Sequence, residues 1–210
     1  MSSFNLNYIQ HIIGKTDGLI IFDIGAHNFE DSINIKSTLP NSDVYAFEPD
    51  VLNIKKYADN AIRSGVKVFD FAMSDESGET IFYNSETLKG QEWTCSGSLM
   101  KPVTKEDTSE GLHEGLLYNL IGYNVKIKTL KEFCDSENIS PDVIHMDVQG
   151  AETKVMRGIG NYRPKIIFAE TCEFDVYETH SSLEEFDNLM FSLGYKIVER
   201  LMYDTLYVHI

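Results

Sequence analysis

The sequence predicts an α/β fold: a mostly parallel β-sheet with helices on both faces, closed at one edge by an antiparallel strand. Three observations lead there. Short apolar runs alternate with longer amphipathic ones, the pattern of βαβ units. Several of the apolar runs end in a carboxylate, at Asp23, Glu48, Asp147 and Glu170. The last two β-rich runs are joined by a link too short for a crossover, so they pair antiparallel.

The strands are expected at residues 19–23, 44–48, 66–72, 143–147 and 165–170, each a run of apolar and β-branched or aromatic residues. Such unbroken runs suit a parallel sheet buried on both faces. Helical periodicity fills 30–39, 51–64, 130–138, 151–158 and 182–193 between them. Pro49-Asp50 forms the turn after the second strand and leads into the next helix. The closing antiparallel pair is expected at 195–200 and 205–210, turning around Asp204. Residues 84–122 sustain no period; they mix Gly, Ser, Thr and acids with the single Trp93. A connection that long is expected to act as a substrate-side insert or lid within one domain spanning 1–210. Runs at 80–83 and 124–128 flank it and are expected to form an extra hairpin.

A chain of 210 residues with 42% apolar content buries a sizeable core without disulfides. Cys95, Cys134 and Cys172 lie far apart and lack C-x-x-C spacing, which fits a reducing compartment and argues against a zinc site. The formal charge of −15 opposes contact with phosphates, so no nucleic acid is expected as partner. No apolar run approaches the ~18 residues of a membrane span, and no signal-like segment opens the chain. The expectation is a cytoplasmic protein with no membrane partner.

The chemistry concentrates at the strand ends, where open α/β sheets bind ligands. Asp23-Ile24-Gly25-Ala26-His27 places an acid before the glycine turn. A carboxylate there repels a pyrophosphate and suits an amine-bearing ligand, such as the methionine end of S-adenosylmethionine. The absence of G-x-G-x-x-G after this strand argues against NAD. Glu48 ends the second strand, where an acid accepts hydrogen bonds from ribose hydroxyls. Ala72 and its neighbours can flank an adenine ring, with Ser74 or Asp75 near its amino group. Asp147, Glu152 and Glu170 are expected to ring one mouth, where a carboxylate takes a proton from a substrate hydroxyl. Glu152 also suits the first turn of its helix as a cap. His27 and His145 are alternative bases. Nothing in the spacing of the acids demands a metal ion.

Taken together, these motifs resemble the FkbM-type S-adenosylmethionine-dependent methyltransferases. The matching pieces are FDIGAH at 22–27, VYAFEPD at 44–50, FAMSDESGETIFY at 71–83, IKTLKEF at 127–133 and DVIHMDVQGAETKVMRGI at 142–159. PKIIFAE at 164–170 and GYKIVERLMYDTLYV at 194–208 complete the set, which covers nearly the whole chain. The resemblance implies a class I methyltransferase, Rossmann-like fold of seven strands with the last antiparallel. It implies S-adenosylmethionine as cofactor and a small-molecule or carbohydrate hydroxyl as acceptor. Asp23, Gly25 and Ala26 would then line the methionine end, with His27 also among the cofactor-binding residues; Glu48 would bind the ribose, Ser74 or Asp75 would approach the adenine, and Asp147 would close the site. Two positions depart from the family pattern. Phe29 replaces a second glycine, and its ring is expected to narrow the pocket or shift the loop. Gln149 replaces the acid of D-V-E-G. These two departures motivate the alternative of a catalytically silent protein that keeps the fold.

Overall fold

A computed structural model describes residues 6–103, 115–171, 177–178 and 181–210. Cys172 and residues 104–114 of the long insert lie outside the described residues. The chain runs α1 (Leu6–Ile13), β1 (Ile20–Ile24), α2 (Glu30–Thr38), β2 (Asp43–Phe47), α3 (Val51–Arg63) and β3 (Lys67–Phe69). It continues through β4 (Ala72–Ser74), β5 (Gly78–Phe82), β6 (Ser85–Leu88), β7 (Gln91–Glu92), β8 (Leu116–Tyr118) and β9 (Tyr123–Thr129). The last part is α4 (Leu130–Glu137), β10 (Val143–Met146), α5 (Glu152–Arg157), β11 (Ile166–Glu170), α6 (Leu183–Ser192), β12 (Tyr195–Arg200) and β13 (Asp204–His209).

Seven strands form the main sheet in the order β12-β13-β11-β10-β1-β2-β3. β1 is parallel to both β2 and β10, and β10 is parallel to β11. β13 runs antiparallel to both β11 and β12, so the last strand is inserted rather than added at the edge. Strand order reverses between β1 and β10, and a crevice opens there at the carboxyl ends. This is the architecture of a class I methyltransferase.

The strands alternate their side chains between two cores, as the pleat requires. Phe22 and Ile24 of β1 face one side with Phe47, Ile144, Met146 and Ile167. Ile21 faces the other with Val44, Ala46, Val143 and Ile166. Phe133 of α4 is the hub of the first core. Its ring lies 4.9 Å from Phe69, 5.0 Å from Phe47 and 5.7 Å from Phe22, all near edge-on, the arrangement that aromatic quadrupoles favour.

The helix starts follow from capping chemistry. Asp50 caps α3 by accepting from Leu52 N, and Thr129 caps α4 by accepting from Glu132 N. Ser182 and Glu185 form a reciprocal capping box on α6. α2 differs: its N-cap is Phe29, in the left-handed region at φ 62° with no side-chain cap.

Two expectations change and one holds. The strand expected at 66–72 is two strands, β3 in the main sheet and β4 in a second sheet of order β4-β9-β5. The break falls at Asp70-Phe71, where the chain leaves one sheet for the other. The expected hairpin is present as the antiparallel β5–β9 pair, with Phe82 opposite Tyr123. The aperiodic insert contains a third small sheet, β7-β6-β8. Its strands, two to four residues long, are too short to leave a period-2 signal.

Phe29 corrects a further expectation. Its ring is fully buried in the second core with Ala26, Ile35 and Leu39, and it does not line the crevice. The backbone takes the left-handed turn that a glycine would supply, at a cost of roughly 1–3 kcal/mol. Losing a buried phenyl ring costs ~3–5 kcal/mol, so Phe29→Gly should be net destabilising by ~2 kcal/mol. Urea unfolding measures this, and an equally stable or more stable variant would show that the ring contributes little.

Candidate functional site

A crevice opens between β1, β2 and β10, and residues of these strands, of the Gly25 turn and of the insert line it. Asp23, Gly25, Ala26, His27, Glu48, Ala72 and Asp147 of the sequence-derived set line it. Ser74 and Asp75 do not. The Ser74 hydroxyl donates to Asp75 Oδ1 at 3.0 Å, and Asp75 pairs with Lys154 of α5 at 3.4 Å. Burial raises the Asp75 pKa, but Ser74 and Lys154 outweigh it and leave the carboxyl below the usual range.

Gly25 is fixed by two constraints. Its φ is 86°, and a Cβ there would lie 1.8 Å from the Asp147 carbonyl oxygen. Only a glycine lets the end of β1 cross so close to the end of β10. The Gly25 and Ala26 N–H groups donate to the Phe47 carbonyl at 3.0 and 3.1 Å, which locks the turn onto β2.

Asp23 is almost fully buried, and both its oxygens are occupied. Oδ1 lies 2.8 Å from His145 Nδ1, and Oδ2 accepts from the Ser32 hydroxyl of α2. Burial disfavours charge on His145, but the hydrogen bond and charge of Asp23, with Asp31 and Asp147 beyond, lift its pKa to about 9. The imidazolium is therefore the dominant form at neutral pH, and His145 is not a free base there.

Glu48 sits at the end of β2. Its Oε2 accepts from His27 N at 2.7 Å, and its Oε1 accepts from Asp50 N at 2.8 Å and from Asn53 Nδ2 at 3.4 Å. Burial pushes its pKa up to about 8, against these backbone donors. Three protein donors leave one position on the carboxyl group unfilled. Phe47, Ala72, Met73 and Phe82 make an apolar wall beside it. A free acceptor position next to a flat apolar wall fits a nucleoside: ribose at the acid, base against the wall.

His27 carries the turn toward the insert. Its Nε2 lies 3.0 Å from Thr94 Oγ1, and Asn53 Nδ2 donates to the Thr94 carbonyl at 3.4 Å. Burial lowers the His27 pKa. Thr94, Cys95, Gly97, Ser98 and Leu99 of the insert face the crevice, whereas Trp93 does not line it.

The three acids expected at the mouth are sorted by their surroundings. Gln149 joins two of them: its Nε2 donates to Asp147 Oδ1 at 2.6 Å and to Glu170 Oε2 at 2.5 Å. Burial and the adjacent Asp147 push Glu170 up to about 10. Glu152 accepts from Gly150 N at 3.1 Å, and burial lifts it to about 7. Of the three, Asp147 alone lines the crevice. Among the described residues no group of three or more His, Cys, Asp or Glu side chains is placed to hold a metal ion. No helix among them is long and apolar enough to cross a membrane.

Several residues that shape the site were not foreseen. Gln149 was read only as a departure from a family acid, yet its amide holds the acid pair. Tyr177 donates to the Ser96 carbonyl at 2.8 Å, tying a distant segment to the insert. Asp31 lines the crevice from the first turn of α2. Its one sequence signal was an acid a few residues past the glycine turn, which equally suits a helix N-terminus.

Fold and crevice define the class as a methyltransferase with the class I fold. Residues 23–197 match the methyltransferase FkbM domain, and the chain belongs to that family. It is 28% identical over 179 residues to a 2-O-methyltransferase, NoeI, of Sinorhizobium fredii, covering 81% of this chain and 70% of that protein. Among solved structures it resembles a precorrin-6y C5,15-methyltransferase from Geobacter metallireducens, with a TM-score of 0.52 at 11% identity. That likeness covers 100% of this chain and 94% of the other.

The buried groups make stability fall with rising pH. Glu48 and Glu170 bind protons in the folded state well above the ~4.3 of an unfolded glutamate, and His145 titrates near 9 rather than 6.5. Between pH 7 and 9 the folded state therefore holds more protons than the unfolded one, and stability drops as they are lost. His27, with its lowered pKa, is neutral in both states over most of this window and adds little. Thermal unfolding should show Tm falling by ~3 °C or more from pH 7 to 9, about 1 kcal/mol at this chain size. Glu170→Gln should flatten that slope; a Tm that rises over the window would contradict the assignment.

Proposed function

We propose that this chain transfers a methyl group from S-adenosylmethionine to a hydroxyl oxygen of a small-molecule or carbohydrate acceptor. The observation that carries the oxygen chemistry is the sorting of the three acids. Glu170 is pushed well above the usual carboxyl range by burial and the adjacent Asp147, and it stands outside the crevice lining. Glu152 is turned to its own backbone at Gly150 and stands outside the crevice lining. Asp147 faces the crevice and is held by Gln149. It is the group placed to take the proton of an acceptor hydroxyl. The 2-O-methyltransferase activity named for the Sinorhizobium relative supports the same acceptor chemistry.

Glu48, Phe47, Met73 and the Gly25 turn would hold the cofactor by its nucleoside. When bound, the cofactor supplies an activated methyl group that leaves behind a neutral thioether. The protein's task is then alignment and water exclusion. The insert residues 94–99 cover the crevice and would do the latter, with Tyr177 and Ser98 bracing them. Ser98 donates to the Gln149 carbonyl at 2.7 Å, so the cover is joined to the acid pair.

Calorimetric titration with S-adenosylmethionine tests the cofactor, and a folded protein that shows no binding ends the reading. Labelled methyl transfer to a panel of glycans and hydroxylated metabolites tests the acceptor class. With an active acceptor, Asp147→Asn should lower kcat by ~10²–10⁴-fold, the usual contribution of a general base. Glu170→Gln changes a group outside the crevice lining and should cost less than about tenfold. The reverse ranking would move the base to Glu170.

A further inference from the structure

We propose that Asp31, not the motif acid Asp23, binds the cofactor's α-ammonium group. The proposal rests on the cofactor reading above. The carboxylates lining the crevice are Asp23, Asp31, Glu48 and Asp147. Asp23 is engaged on both oxygens by His145 and Ser32. Glu48 is held by His27 N, Asp50 N and Asn53 at the β2 end. Asp147 accepts from Gln149. Among the described residues, the Asp31 carboxylate alone of these four accepts no hydrogen bond.

Asp31 lies within electrostatic reach of His145, Asp23 and Asp147. Ribose at Glu48, with the base on the Phe47–Met73 wall, leaves the amino-acid tail pointing back past the Gly25 turn toward β10. The wall met there consists of Asp31, Asp23 and His145. No lysine or arginine lines the crevice among the described residues. An amino-acid tail is a zwitterion. The wall offers an open carboxylate for its ammonium and, at His145, a cation of the opposite sign. The Asp31 carboxylate is half-buried, where a charge-assisted hydrogen bond is stronger than at an open surface. Asp23 instead acts as a brace that joins β1, β10 and α2.

The test separates the two halves of the ligand. Wild type, Asp31→Asn and Asp31→Glu, each as the full chain and each checked by thermal unfolding, are titrated with S-adenosylhomocysteine and with 5′-methylthioadenosine, which lacks the amino-acid tail. Asp31→Asn should weaken S-adenosylhomocysteine about tenfold or more and leave 5′-methylthioadenosine within about twofold. Asp31→Glu, which keeps the charge, should retain part of the preference for the longer ligand. Unchanged S-adenosylhomocysteine affinity in Asp31→Asn overturns the assignment. So does an equal loss for both ligands, which marks a structural role. A wild type that binds neither ligand overturns the cofactor reading and this assignment with it. A wild type that binds both, combined with an indifferent Asp31→Asn, leaves the cofactor reading standing and removes only Asp31.

Discussion

One buried carboxylate holds the switch point together. Asp23 joins β1 to β10 through His145 and to α2 through Ser32. A lone buried charge costs several kcal/mol, and removing either partner would expose that cost. The pairing therefore fixes which strand neighbours β1 and how α2 enters. The glycine turn depends on it as well. Gly25 passes so close to the Asp147 carbonyl that the two strand ends must keep their relative height. The acids that line the crevice hang from these three elements or from β2, which the turn grips through Phe47.

The second level of organisation is the connection between cofactor cleft and insert. His27 and Asn53 both reach Thr94, while Gln149 is reached by Ser98 and by Tyr177. The insert is thus pinned at both ends of the crevice, once beside His27 and Asn53 and once over the acid pair. A segment with no period in its sequence is ordered by polar contacts to the site it covers.

The sheet was legible because its signal is redundant. Each parallel strand is buried on both faces, so its apolar run stands out, and the strand ends are marked by acids or Gly-Pro punctuation. The site was legible only where chemistry coincided with that punctuation. Gly25, Glu48 and Asp147 sit at strand ends and line the crevice. Ser74 and Asp75 also follow a strand, but that strand belongs to the second sheet, and its exit turns toward Lys154 instead of the crevice. A one-dimensional reading has no means to see that β3 and β4 part company at Asp70. Phe29 misled for a related reason. Its position calls for a left-handed residue, and the sequence shows a bulky one. That this ring fills the second core, compensating the backbone strain, depends on residues such as Ile35 and Leu39 packed from elsewhere. Asp31 was passed over because an acid in the first helical turn already has an ordinary explanation.

Cys95 gives the crevice a chemical hazard. A methyltransferase handles an electrophilic carbon, and thiolate sulfur is a better nucleophile than a hydroxyl oxygen. A thiol in the wall of such a site competes with the intended acceptor and can end as a dead thioether. Burial pushes Cys95 from 9.0 up to about 11, which reduces the reactive thiolate about a hundredfold. The burial that places Cys95 in the crevice wall, with the nearby Asp147 and Glu170, thus lowers its competence as a rival methyl acceptor.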